Sequence, residues 1–138
     1  MRGGAGWLAL CVVTVLGLTV VAGEKPSESY VKNMKDTNAA SAALRKGLDS
    51  KDYEAIVKNA SALESLFEST EDFWAKRKMD DAIGFAKSGA KAAAALAAAA
   101  QAKNDEGVTA ASKTLTGTCK QCHDVHRERL PDGSSEIK

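Results

Sequence analysis

Proline is almost absent from the chain, and no part of it shows the pattern of a β-strand. The two prolines are Pro26 and Pro131, so the long segment between them is free of this helix-breaking residue. That segment is rich in Ala, Lys, Glu and Leu, β-branched residues are sparse, and apolar and polar residues do not alternate with a two-residue period. These absences argue against a sheet-based fold and predict an all-α domain.

The chain also lacks an excess of either charge. It has 19 lysines and arginines against 18 aspartates and glutamates, a formal net charge of +1 at pH 7. Proteins that bind nucleic acids or anionic membrane surfaces use clustered positive charge, which this composition does not supply. We therefore expect neither nucleic acid nor a membrane surface among its partners.

Residues 1–22 differ in composition from the rest of the chain. An arginine comes directly after the first methionine, the run Trp7–Val21 contains no charged residue, and small residues precede a polar segment. This is the pattern of a secretory signal peptide, with cleavage expected after Ala22 or Gly23. The alternative is an uncleaved anchor, although the apolar run of about 15 residues is shorter than the ~20 that span a bilayer. We expect residues 23–138 to be exported to the periplasm without stable membrane insertion.

Cysteine is scarce as well. Of the three cysteines, Cys11 lies in the predicted signal peptide, so the exported domain keeps Cys119 and Cys122. A disulfide between cysteines three positions apart closes a very small loop and connects no distant parts of a fold. The pair therefore indicates a chemical role for the thiols more than a structural cross-link.

The two cysteines belong to the pentapeptide Cys119-Lys120-Gln121-Cys122-His123, which has the CxxCH pattern of covalent c-type haem attachment. On a helix, positions 119, 122 and 123 share one face. Both sulfurs can then reach the vinyl groups of one porphyrin, and the imidazole is placed as the proximal iron ligand. The motif predicts one covalent haem c as cofactor.

Other sites built from the same residues fit the sequence poorly. A zinc site would take Cys119, Cys122, His123 and His126 from eight residues of one helix, which disfavours tetrahedral geometry. His126 lies one turn beyond His123 and would approach the same haem face, so we do not expect it to be the second axial ligand. A thioredoxin-like dithiol requires a βαβ unit, which is not in the pattern.

Turn signals divide the exported domain into four helices and a tail. The predicted helices span 28–48, 51–68, 80–103 and 105–130, and the tail 131–138 is predicted as coil. Helices of this length joined by short loops pack as antiparallel neighbours, so we expect an antiparallel four-helix bundle. Because the third helix offers mostly alanine to the core, we expect a buried haem to supply the missing apolar volume. A close-packed alanine core is the alternative.

The position of the motif in the last helix of such a bundle resembles the class II cytochromes c, the family of cytochrome c′ and its low-spin relatives. The resemblance covers the exported domain from about Glu28 to Arg129. Its strongest part is Cys119–His123 followed by a short polar stretch and Arg127, whereas His126 stands where the family commonly has an aromatic residue. Trp74 and Phe85 are similar to the tryptophan and phenylalanine that bracket the start of the family's third helix.

The resemblance implies that the sixth iron position decides the function. In low-spin members a methionine of the first helix binds the iron, and here that position falls at or next to Met34. A thioether would complete a His/Met ligand pair like that of electron-carrying cytochromes. An ordinary core methionine is the alternative, since methionine fills irregular gaps well. For Arg127 the resemblance implies a place beside a haem propionate, and the alternative is a solvated charge on the helix surface.

These expectations describe a periplasmic electron carrier and not an enzyme. Its haem c is bound by Cys119 and Cys122, has His123 and Met34 as axial ligands, and exchanges single electrons with redox partner proteins. The alternative is a five-coordinate cytochrome c′ that binds nitric oxide or carbon monoxide. A peroxidase-like enzyme would need distal acid–base residues, and the first helix contains no histidine. Relatives often form dimers through their first two helices, so the resemblance also admits a homodimer.

Overall fold

A computed structural model describes residues 23–138, and the predicted signal peptide with Cys11 lies outside them. Four helices come first: α1 (Glu28–Ser50), α2 (Tyr53–Ala75), α3 (Asp80–Gln101) and α4 (Asp105–His126). A short antiparallel hairpin follows: β1 (Arg127–Arg129) and β2 (Ser135–Ile137). Helices consecutive in the chain pack against each other, which confirms the predicted all-α bundle. None of the helices in this described part combines the length and the hydrophobicity of a membrane span.

Short polar side chains begin three of the helices. Ser27, Asp52 and Asn104 each accept a hydrogen bond from the backbone N–H three residues later. Each bond satisfies one of the N–H groups that the start of a helix leaves unpaired. α3 begins without such a bond, but Asp80 and Asp81 lie in its first turn, where negative charge interacts favourably with the helix dipole.

A lysine in the left-handed region lies in each of the three helix–helix connections. The φ angles are 53° at Lys51, 56° at Lys78 and 52° at Lys103. Glycine is the usual residue in this conformation, since a side chain there costs roughly 1–2 kcal/mol. These three connections therefore lack the glycine that usually marks the end of a helix in a sequence.

α2 is longer than the sequence predicts. It continues past residue 68 to Ala75, through a segment expected to be a connection, and buries Thr70 and Trp74. The hydroxyls of Ser69 and Thr70 donate to backbone carbonyls four residues earlier, so these residues stay compatible with the helix. Burial of the Trp74 indole then favours continuation of α2 as far as the loop before α3.

The prediction for the C-terminal region is wrong in two respects. α4 ends at His126 and not at residue 130, and the tail predicted as coil forms β2, in which Ile137 pairs with Arg127. A turn with Gly133 at φ 85° reverses the chain between the strands. Glu24 also exchanges two backbone hydrogen bonds of 2.8 Å with Ile137, so the start of the domain is joined to its end.

The bundle core is built largely from alanine. Buried alanine side chains are Ala60, Ala82, Ala86, Ala92, Ala93, Ala97 and Ala100. Small side chains let helices approach closely, and α2 and α3 form the most extensive contact. At Gly89 of α3 even a methyl group would collide with the ring of Phe67 on α2. At the α2–α3 interface the core is filled because the two helices lie close together. The predicted shortage of apolar side-chain volume therefore gives no support for a haem at this interface.

Candidate functional site

The last turns of α4 carry the CxxCH residues as reactive groups in a partly buried setting. Cys119 and Cys122 are free thiols, both half-buried, and Cys119 packs against the hydrophobic core. Burial raises the pKa of both thiols, and for Cys122 the neighbouring Cys119 adds to the effect and brings the pKa to about 11. Both are therefore protonated at neutral pH. This environment does not create the low-pKa thiolate on which dithiol redox catalysis depends.

His123 presents a neutral imidazole. Its side chain is half-buried, and burial lowers its pKa, with the positive charge of Arg127 as the next cause. The imidazole has no hydrogen-bond partner among residues 23–138. A neutral ring nitrogen without a partner is the form of histidine that binds a metal.

α1 reaches the motif through Tyr30, a residue that no motif in the sequence identifies. Its ring stacks on Phe73 with centroids 3.8 Å apart. Burial raises the pKa of Tyr30 to about 12, and the adjacent Cys122 contributes to that rise. The phenol therefore lies within electrostatic reach of a motif sulfur and stays protonated.

Met34 lies one turn beyond Tyr30 on the same face of α1. It is half-buried and does not belong to the hydrophobic core cluster of the described residues. In residues 23–138, α1 and α4 approach each other much less closely than the consecutive helix pairs do. The structure thus groups Cys119, Cys122 and His123 on α4 and leaves Met34 on a separate helix that packs against α2 and contacts α4 little.

His126 turns into the bundle, away from the role of a ligand. It is 5% exposed, and its ring lies 5.0 Å from that of Trp74 and 6.4 Å from that of Phe85. Its Nε2 lies 3.0 Å from Oδ2 of Asp81 in the first turn of α3. The imidazole thereby occupies an aromatic environment, at the sequence position where the resembling family commonly has an aromatic residue. No local signal in the sequence identified Asp81 as its partner.

Arg127, the first residue of β1, is exposed. Its backbone N–H donates to the carbonyl of His123, which ends α4. Its charge contributes to lowering the pKa of His123, second to burial. The side chain is thus a solvated charge close to the motif.

A second arginine lies nearer the aromatic residues at this end of the bundle. The guanidinium carbon of Arg77 lies 3.8 Å from the ring centroid of Phe73, and Nη2 is paired with Glu24. Trp74 meets both Tyr30 and Phe73 edge to face. Only Trp74 of these residues was noted in the sequence, because the others meet through contacts between distant parts of the chain.

In the described part of the chain, no group of three or more His, Cys, Asp or Glu side chains is arranged to hold a metal ion. Comparison with protein-family models and with the sequences of curated proteins found no match to this chain. The resemblance to the class II cytochromes c therefore depends on the motif and the sequence features around it.

Proposed function

We propose that the chain is an exported c-type cytochrome that transfers single electrons through one haem c. Cys119 and Cys122 attach the haem, His123 is the proximal iron ligand and Met34 the distal one. The observation that carries the proposal is the burial and protonation state of the motif residues in the fold. Two free thiols and a neutral imidazole without a partner lie together on the half-buried face of the last turns of α4.

These residues fit the group that the motif implies. A thioether forms when the S–H of a thiol adds across a vinyl double bond, so two free, protonated thiols and two vinyl groups are the matching components. When bound, the haem would supply a one-electron Fe(III)/Fe(II) couple whose potential depends on its ligands and burial. The chain's own part is to hold the imidazole neutral by burial and to limit water with the aromatic side chains of Tyr30 and Trp74.

The position of Met34 favours the role of distal ligand over that of an ordinary core methionine. An ordinary core methionine would pack with the aliphatic cluster, and Met34 is not among the residues of that cluster in 23–138. It shares a face of α1 with Tyr30, whose phenol is close to Cys122. A flexible thioether on this face would reach toward a group attached to α4.

The test is to express the full chain in a bacterium that matures c-type cytochromes and to examine the purified protein. We expect an intact mass that has lost residues 1–22 and gained one haem. We further expect a low-spin ferric spectrum with a methionine–iron charge-transfer band, and a ferrous spectrum that carbon monoxide leaves unchanged. The matched control, Cys119→Ser with Cys122→Ser, should carry no covalent haem. A wild-type chain that also remains colourless under these conditions would contradict the proposal.

The second candidate is a five-coordinate cytochrome c′ that binds nitric oxide or carbon monoxide. One observation favours it: Tyr30 of α1, whose pKa the neighbouring Cys122 helps to raise, carries a protonated phenol that does not ligate iron in that state. The ferrous spectrum separates the candidates, because five-coordinate iron takes up carbon monoxide at once.

A further inference from the structure

Contacts at both ends join α1 to α4, and between those ends the two helices touch little. At one end, Asp105 at the start of α4 accepts hydrogen bonds from Lys51 and Tyr53, next to the end of α1. At the other end, Glu24 and Ile137 exchange two backbone hydrogen bonds of 2.8 Å. We call this second contact the terminal strap. Between the two ends, α1 and α4 approach each other much less closely than the consecutive helices do.

The two halves of α1 differ in how they are held. Leu44 and Leu48 in the second half belong to the hydrophobic core or pack against it. In the described chain, no residue of the first half, which carries Tyr30 and Met34, is part of that core cluster. The first half is held instead by α2, where Tyr30 stacks on Phe73. The α1–α4 interface is therefore weakest at the end that carries the CxxCH motif.

The terminal strap lies directly at the end of the motif helix. β1 follows α4 without a break and turns back into β2, which contains Ile137. The backbone N–H of Lys138 donates to the carbonyl of His126 at 3.3 Å, which holds β2 against the end of α4. A Cβ at Gly23 would come within 2.6 Å of Oε2 of Glu136 and 3.1 Å of the carbonyl of Ile137. The chain start thus lies so close to β2 that a side chain at this position would push the strap away.

We propose that the terminal strap is a releasable closure: when it opens, the first half of α1 separates from α4, and a large planar group can reach Cys119 and Cys122. Both thiols are half-buried, and Tyr30 of α1 lies within electrostatic reach of Cys122. The opening leaves the α2–α3 contact, the most extensive in the fold, intact. Only the identity of the entering group, a haem, rests on the proposed function, and the opening itself is tested on the two thiols.

The variant that tests the strap is Ile137→Pro. Both backbone groups of Ile137 bond to Glu24 and so point away from β1, and proline at this position removes one strap bond while β2 stays paired with β1. Ser135→Pro is the matched control on the same strand. Strand alternation directs the N–H of Ser135 to the same side, where the described chain offers it no backbone partner.

The experiment labels the thiols of the full chain, expressed without covalent haem and kept reduced. Fluorescein maleimide is a large planar probe, and N-ethylmaleimide is a small one with the same reactive group. Because both react with the thiolate, the ratio of their rates does not depend on the thiol pKa. We expect Ile137→Pro to raise the fluorescein maleimide rate about two- to tenfold, the effect of losing one backbone hydrogen bond. The N-ethylmaleimide rate should change less, and Ser135→Pro should label like wild type.

Two results with these variants would overturn the strap. One is an unchanged fluorescein maleimide rate in Ile137→Pro. The other is an equal acceleration in Ser135→Pro, which would assign the effect to a disturbed hairpin.

The urea dependence of labelling tests the strap in the wild-type chain, so the result does not depend on the folding of a variant. A local opening exposes little surface, so the fluorescein maleimide rate should rise only weakly with urea. Amide exchange at the start of α1 should also be faster than at the α2–α3 interface. Labelling with the urea dependence of global unfolding overturns the strap.

The strap and the proposed function can fail separately. A chain that labels as expected but receives no covalent haem in a cytochrome-maturing bacterium overturns the proposed function alone. A haem protein whose thiol form fails the labelling test overturns the strap alone.

Discussion

Nε2 of His126 lies 3.0 Å from Oδ2 of Asp81, and this contact joins the last residue of α4 to the first turn of α3. The imidazole is 5% exposed and also packs against Trp74 at the end of α2. One buried polar side chain thus connects three helices next to the CxxCH motif. Its Nε2–H donates the side chain's single hydrogen bond to a carboxylate that is itself largely solvated.

The first prediction concerns this pair. Asp81→Ala leaves Nε2 of His126 buried without a partner, and we expect the free energy of unfolding to fall by about 1–3 kcal/mol. Urea unfolding at neutral pH measures the change. Asp80→Ala removes the neighbouring first-turn carboxylate, which has no such partner, and should cost about 0.5 kcal/mol. Equal losses in the two variants would show that the contact contributes nothing.

The second prediction concerns two glycines of α3. Gly89→Ala forces a methyl group into the ring of Phe67, and we expect a loss of about 1–3 kcal/mol from overpacking. Gly84→Ala meets no atom within 4 Å and should stabilise the helix by up to about 1 kcal/mol. Thermal unfolding of both variants gives the comparison. A stabilised Gly89→Ala variant would mean that α2 and α3 separate easily at this point.

The bundle itself could be predicted because its signals are local. The caps at Ser27, Asp52 and Asn104 and the lack of proline depend on neighbouring residues only. The hairpin could not be predicted, since strands of three residues show no period and Ile137 pairs with Glu24 from the other end of the domain. The end of α2 was predicted too early because serine and threonine favour loops unless, as at Thr70, burial keeps them helical.

For the candidate site, too, some features could be predicted from the sequence and others could not. The spacing of Cys119, Cys122 and His123 places them on one face of any helix, so this shared face could be predicted from the sequence alone. Tyr30, Arg77 and their contacts with Phe73 depend on how α1 and the α2–α3 loop meet, which no short pattern encodes. Sequence reasoning therefore predicted that the CxxCH residues share one face of a helix and missed most of the side chains around them.

The third prediction concerns the opposite end of the bundle, where Tyr53 Oη and Lys51 Nζ donate to the two oxygens of Asp105. The hydrogen bond from Tyr53, followed by that from Lys51, lowers the pKa of Asp105 below its ordinary 3.8, and the bond to Asp105 raises the pKa of Tyr53 above 10.0. Tyr53→Phe should lower the thermal midpoint slightly, because the groups are solvated.

The sign of the pH dependence is set by the two shifts. A lowered carboxyl pKa contributes stability above the unfolded value of 3.8 that is lost as the pH falls through the folded pKa. A raised phenol pKa contributes stability below 10.0 that is lost as the pH rises through the folded pKa. The difference in thermal midpoint between wild type and Tyr53→Phe should thus form a plateau at intermediate pH and vanish at acidic and alkaline pH. In an Asp105→Asn background that plateau should be absent, and its persistence would assign the effect to ring packing.

The last prediction decides between the two candidate functions at Met34. In the haem-loaded protein, Met34→Ala removes the thioether from the face of α1 that also carries Tyr30, so the iron should become five-coordinate. We expect loss of the methionine–iron charge-transfer band, a high-spin ferrous spectrum and rapid uptake of carbon monoxide. Met79→Ala, at an exposed methionine just before α3, is the matched control and should keep the wild-type spectrum. If wild type already binds carbon monoxide and Met34→Ala changes nothing, the distal assignment fails and the gas-binding candidate takes its place.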